Sequence, residues 1–248
     1  GSGFAVGAAL AGSRPIYVIR YQGFNWFNAP IIINYACKSK ELWGRSCSMF
    51  VRSIAMEGAI GPVAGSSHHS IYFRMPGVVI KSPMTPGEYR KVYQQFCQDD
   101  QVYYVSEHRG AFGNQDELED RFENGSSITL VAISITRFAA VVAFDKLRAM
   151  GVKLNLVHLV DLKPLILSVD AIDAIQGSQH VVVMDDDYPD GAVSAIAQKI
   201  QETYRVSTWT LGLEERSAGF AKHLDNLPPS ADKICEKVLS ILNSDLRE

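Results

Sequence analysis

The chain is 248 residues long and 47% hydrophobic, with 24 basic against 27 acidic side chains and a net charge of -3. Such a length buries a sizeable core in one or two domains, and the faint acidic balance argues against a nucleic-acid partner, which calls for a basic face. No apolar run reaches the roughly 18 residues of a bilayer span, which argues against a membrane protein; Cys37, Cys47, Cys97 and Cys235 lie too far apart for a zinc site or a disulfide framework and read as thiols in a reducing compartment.

From the N-terminus, the small-residue run Val6 to Gly12 reads as the end of a helix feeding a strand over 16–20. An apolar stretch over 25–43 follows. Its Ile31, Ile32, Ile33, Tyr35 and Ala36 cover more than one face, which predicts a largely buried helix packed at a subunit interface. Strands are predicted over 48–53, 78–82 and 102–106, and a helix over 86–98 is opened by Thr85 as N-cap with Glu88 three positions on. The charge-dense segment 113–127 reads as an interdomain linker. Beyond it the alternation resumes, with strands over 128–133, 154–160, 181–184 and 206–211 and helices over 139–150, 169–175, 192–204 and 230–243. β-rich runs alternating with amphipathic stretches indicate an α/β protein: two domains, residues 1–112 and 128–248, each with a mainly parallel sheet flanked by helices.

Val6-Gly-Ala-Ala-Leu-Ala-Gly12, followed by Arg14-Pro15-Ile16 and then without a gap by Phe24, Asn34 and Lys38, closely resembles the beta subunit of thiamine-diphosphate-dependent 2-oxoacid dehydrogenases of the pyruvate dehydrogenase type. Val160-Asp161-Leu162 with Pro164-Leu165 is similar to that family's IDLRTISPL stretch, and the run Val181 to Gly191 to its VVVDEGWPTGG turn. The resemblance thus covers nearly the whole chain, in order. Glu107-His108 favours the dehydrogenase beta subunit over transketolase and deoxyxylulose-phosphate synthase, which are built from similar domains. It implies a transketolase-like pyrimidine-binding domain followed by a transketolase C-terminal domain. The implied chemistry is oxidative decarboxylation of a 2-oxo acid with acyl transfer to lipoamide, in the cytoplasm or the mitochondrial matrix. In the family a glutamate activates the aminopyrimidine of the cofactor; the match would put it just ahead of Gly1, so the first domain is expected to lack its opening strand and the start of its first helix.

The same resemblance points to individual residues. Phe24 stands where the family sets an aromatic ring against the aminopyrimidine, a contact that a flat heterocycle gains from; another aromatic of that motif is replaced by Gln22. Ser66-Ser67-His68-His69-Ser70 lies on a loop preceded by Gly58, Gly61, Pro62 and Gly65. An imidazole there can exchange a proton near neutral pH, and the family's corresponding histidine contacts the 2-oxo acid and helps acyl transfer. Either His68 or His69 fits. Asp99 falls where beta subunits hold a potassium ion, mainly with backbone carbonyls, and oxygen ligands suit such a hard cation. Asp185-Asp186-Asp187 reads as a turn ahead of a helix N-terminus rather than as a magnesium site.

Neither a GDG motif nor a P-loop is present, and so much phosphate charge requires an anion cradle of one kind or the other. The chain is therefore expected to share thiamine diphosphate and Mg2+ with an alpha-type subunit carrying the diphosphate-binding domain, to associate with other beta subunits, and to serve a lipoyl acyltransferase core. The alternatives are the C-terminal half of a split transketolase and a non-catalytic paralogue acting as an assembly subunit.

Overall fold

A computed structural model describes residues 1–57 and 65–245, apart from the side chains of Lys222 and Asp245. Gly58, Gly61 and Pro62, singled out ahead of the histidine loop, lie outside the described residues. The backbone divides into two compact units. The first comprises Gly1–Glu117, Val160–Ile166 and Ser217–Asn226, and the second Leu118–Leu159, Leu167–Arg216 and Leu227–Glu248. Two short segments from the second half of the sequence thus belong to the first unit.

The first unit holds a five-stranded sheet. Helix α1 (Ser2–Leu10) leads to β1 (Ile16–Arg20), and β2 (Met49–Ala55), β3 (Val78–Lys81) and β4 (Val102–His108) follow. Their order is β1-β2-β4-β3, all parallel. Later in the chain β7 (Asp161–Lys163) adds to the free edge of β3, antiparallel. The strand predicted over 154–160 accordingly ends early: the sequence does not signal so short an edge strand, because half-buried Asp161 and Lys163 flank a single buried Leu162. Helix α5 (Pro86–Gln98) has the expected capping box, with the Thr85 hydroxyl accepting from the Glu88 N–H and the Glu88 carboxylate accepting from the Thr85 N–H. Its Val92 and Phe96 pack on Phe50, Val79, Tyr103 and Val105.

The segment 25–43 corrects one expectation. It is not one helix but α2 (Asn25–Ile31), a π-helical turn (Ile32–Ala36) and α3 (Ser39–Trp43). Pro30 lies inside α2, where it can neither donate its own backbone hydrogen bond nor avoid the preceding turn, so the ladder rearranges beyond it. Within the single chain it is partly buried: Asn25, Ala29, Ile32, Ala36, Cys37 and Ser39 point inward, whereas Trp26 is 65% and Phe27 79% exposed.

The second unit is a four-stranded, all-parallel sheet of order β6-β5-β8-β9. Its strands are β5 (Ile128–Ala132), β6 (Leu154–His158), β8 (His180–Met184) and β9 (Ser207–Leu211). Helices α6 (Thr136–Ala149) and α9 (Ala231–Asp245) pack together on one face, over Ile128, Leu130, Leu154, Leu156 and Val182. Helix α7 (Val169–Gly177) packs on β5, and α8 (Ala192–Tyr204) on β8 and β9. Strands β5, β6 and β8 are buried along their whole length, as continuous apolar runs in a parallel sheet require. Among the described residues no helix is long and apolar enough to cross a membrane.

Candidate active site

The residues of interest in the first unit gather where β1, β2 and β4 end. Chain leaving β1 turns through a single 3-10 turn, Gln22–Phe24, into α2. Gln22 is completely buried, and its amide is fully used: Nε2 donates to the Ser53 carbonyl at 3.1 Å and to Ser106 Oγ at 2.8 Å, while Oε1 accepts the His68 N–H at 2.7 Å. The residue that replaces a family aromatic is thus a polar clamp joining β1, β2, β4 and the histidine loop. Asn25, also completely buried, donates to Ser53 Oγ at 3.1 Å and to the Tyr104 hydroxyl at 2.8 Å, and Tyr72 donates to its Oδ1 at 3.3 Å. The side-chain amides of Gln22 and Asn25 thus find partners at both ends, which a low-dielectric interior demands.

The loop reaches this wall through a parallel bridge of Gly65 to Met56, with the Ser66 N–H donating to the Met56 carbonyl at 2.9 Å. Ser66 then takes a left-handed φ of 68°, a conformation that costs a residue with a Cβ of order 1 kcal/mol and concentrates at functional loops. Beyond it the two histidines part. His69 is completely buried, with Nδ1 2.9 Å from Ser106 Oγ and its ring tilted over Phe73. His68 is half-buried, and its Nε2 lies 3.3 Å from Ser66 Oγ. The short helix α4 (Ser70–Phe73) follows. Lys163, on the edge strand β7, donates its ammonium to the carbonyls of Tyr72, Phe73 and Met75 at the end of α4, where unpaired carbonyls favour a cation. Burial pulls the Lys163 pKa down. Sequence reasoning missed Lys163, since nothing local to it signals a partner so remote in the chain.

Phe24 is 41% exposed, two residues from Gln22 in the same turn. The Glu107 carboxylate is wholly buried and takes Arg52 Nε on both oxygens, at 2.8 and 2.9 Å. Burial pushes its pKa up while the guanidinium opposes the shift. His108 Nδ1 accepts the Gly110 N–H at 3.1 Å. Asp99 stands apart from all of these, at the C-terminus of α5: its carboxylate accepts the Gln101 N–H at 3.1 Å and the Tyr103 hydroxyl. Asp185 and Asp187 bond back to the N–H of their own next residues, closing the turn after β8. No group of three or more His, Cys, Asp or Glu side chains among the described residues could hold a metal ion.

Residues 2–115 match the family described as transketolase, pyrimidine binding domain, and residues 119–227 the family described as transketolase, C-terminal domain. The chain is built of these two transketolase-type domains. Among curated proteins it is similar to the beta subunit of acetoin:2,6-dichlorophenolindophenol oxidoreductase from Cupriavidus necator, at 24% identity over 75% of the chain and 59% of that protein. It is also similar to the beta subunit of the pyruvate dehydrogenase E1 component from Rhizobium meliloti, at 24% over 81% of the chain and 47% of the relative. The mitochondrial counterpart from Ascaris suum is 25% identical over 82% of the chain and 61% of its own length. The chain therefore spans less than two thirds of each of these relatives. Two solved structures share the fold. A split-gene transketolase described as an inactive beta4 tetramer has a TM-score of 0.74 at 18% identity, covering 97% of this chain and 80% of that one. Transketolase from Campylobacter jejuni has a TM-score of 0.64 at 16% identity, covering 91% and 35%.

Proposed function

We propose that this chain is the beta-type component of a thiamine-diphosphate-dependent 2-oxoacid dehydrogenase, completed by an alpha-type subunit that carries the diphosphate-binding domain. The observation that supports the reading is that Gln22, in the same turn as the 41% exposed Phe24, accepts the backbone N–H of half-buried His68 and so links that turn to the histidine loop, in a chain whose curated relatives are named as dehydrogenase and oxidoreductase beta subunits.

The residues fit one end of the cofactor. Phe24 offers a ring face for the aminopyrimidine, while Gln22 and Asn25 hold the surrounding backbone rigid from behind. Nothing in the sequence offers the Mg2+ and diphosphate cradle, which falls to the alpha-type partner. When bound, thiamine diphosphate supplies the electron sink for decarboxylation. His68, the accessible member of the pair, holds and moves a proton at the substrate oxygen and at the departing acyl group; His69 and Ser106 fix the loop that presents it. Acyl transfer to the lipoamide of a lipoyl acyltransferase core completes the cycle. The exposed rings of Trp26 and Phe27, neighbours on α2, together with exposed Phe4, are the apolar side chains this reading assigns to association of beta subunits.

The test is reconstitution with an alpha-type subunit bearing a GDG motif. The reading expects release of carbon dioxide from a 2-oxo acid, with dye reduction, only when both chains are present. Turnover of a sugar phosphate instead would favour the split-transketolase reading, to which the fold also answers. Assembly without any turnover would favour a non-catalytic paralogue.

A further inference from the structure

Strand β7 puts two charged side chains on the edge of β3. The first, Asp161, accepts from the nearly buried ammonium of Lys81, and beside it the Val160 carbonyl accepts the Ser82 N–H at 2.9 Å, which together fix the short strand in place. The second is Lys163. A lysine on an edge strand ordinarily reaches into water, where it discourages further pairing. Lys163 instead turns its ammonium onto the carbonyls of Tyr72 at 3.3 Å, Phe73 at 2.8 Å and Met75, three acceptors for the three N–H donors of the group.

Those carbonyls lie at the end of α4, a single turn of four residues that begins directly after His69. One turn does not sustain itself, because several residues are fixed in exchange for about one hydrogen bond. Its place therefore depends on what grips it. Tyr72 grips from within: it is completely buried, stacks on Tyr104 with ring centres 4.2 Å apart and donates to Asn25. Lys163 grips the far end. We propose that Lys163 is a positioning residue of the histidine loop, holding α4 so that His68 and His69 keep their places where β1, β2 and β4 end. That role rests on the proton-transfer function proposed above for the loop, and Lys163 acts on it through the backbone of α4.

Hydrogen exchange of the full chain tests the grip without any activity. Lys163→Met, which keeps much of the apolar stem and removes the charge, is expected to speed amide exchange over 66–77 by about 10- to 100-fold, while α8 exchanges as in the wild type. Lys163→Arg, which keeps the charge and the donors, should stay close to the wild type. In the complex assembled with an alpha-type subunit, Lys163→Met should lower kcat by about 10- to 100-fold with KM for the 2-oxo acid within about twofold, and Lys163→Arg should recover most of that loss. Unchanged exchange over 66–77 would overturn the proposal, as would a rise spread evenly through the chain, which marks a residue of general stability alone. Turnover of Lys163→Met within about twofold of an active wild-type complex would overturn it too. A wild-type complex that releases no carbon dioxide would instead sink the reading of the chain as a dehydrogenase component, and the exchange measurement would still decide whether Lys163 holds the loop.

Discussion

The Gln22 side-chain carbonyl accepts the His68 backbone N–H at 2.7 Å, and the other end of the same amide donates to Ser53 and Ser106 on two neighbouring strands. One buried side chain therefore sets the distance between the turn that carries Phe24 and the loop that carries the histidines. Gln22→Ala should leave three polar groups without that partner, and each buried orphan costs about 1–3 kcal/mol. Circular dichroism should show a melting temperature lower by several degrees with secondary structure intact. A melting temperature unchanged from the wild type would mean that the clamp contributes nothing.

The two histidines should separate cleanly. His68→Ala, measured in the assembled complex, should lower lipoamide-dependent turnover by about 100- to 10,000-fold with little change in melting temperature, because the half-buried ring bears a proton-transfer role rather than a packing one. His69→Ala should do the reverse in kind, lowering the melting temperature first, since it removes a fully buried ring and its contact with Ser106. If His68→Ala turns over within about twofold of wild type, the proton-transfer role fails.

Much of this arrangement was legible in the sequence, and the gaps have physical causes. The helix over 192–204 and the capped helix over 86–98 appear with the predicted bounds, because the amphipathic period of both and the capping box of the second are local signals. Buried strands were equally clear as apolar runs. The segment 25–43 misled as to a single helix, since an apolar period does not register the break in the hydrogen-bond ladder that Pro30 brings. Choosing between His68 and His69 was beyond the sequence, because neighbouring residues on a loop differ only in the direction the backbone gives them. Lys163 and Arg14 act on carbonyls 80 to 90 positions away, and nothing in their immediate neighbours marks that.

The uncovered rings carry their own test. Trp26→Glu combined with Phe27→Glu replaces two side chains that are 65% and 79% exposed, so the fold of the single chain should survive. Sedimentation should then show a shift from self-associated species toward the monomer. An unchanged distribution would remove this surface from the account of assembly.

Stability should fall on mild acidification through His158. Burial, with Arg137 beside it, pulls its pKa down to about 3 from an ordinary 6.5. The unfolded chain thus takes up a proton as pH drops through 6.5 while the folded chain resists until about 3. This contribution is complete above pH 6.5 and is lost between 6.5 and 3, with a slope approaching about 1.4 kcal/mol per pH unit. Denaturant titrations across that window should show a shallower dependence for His158→Gln than for the wild type. Equal slopes would show that another group governs the acid limb.

The central claim is that this chain holds only one end of thiamine diphosphate and that a second subunit supplies the rest. Calorimetric titration of thiamine diphosphate with magnesium, into the chain alone and into its mixture with an alpha-type subunit, tests it most directly. The account predicts no measurable heat of binding for the chain alone and micromolar affinity for the mixture. Micromolar binding by the chain alone would contradict it.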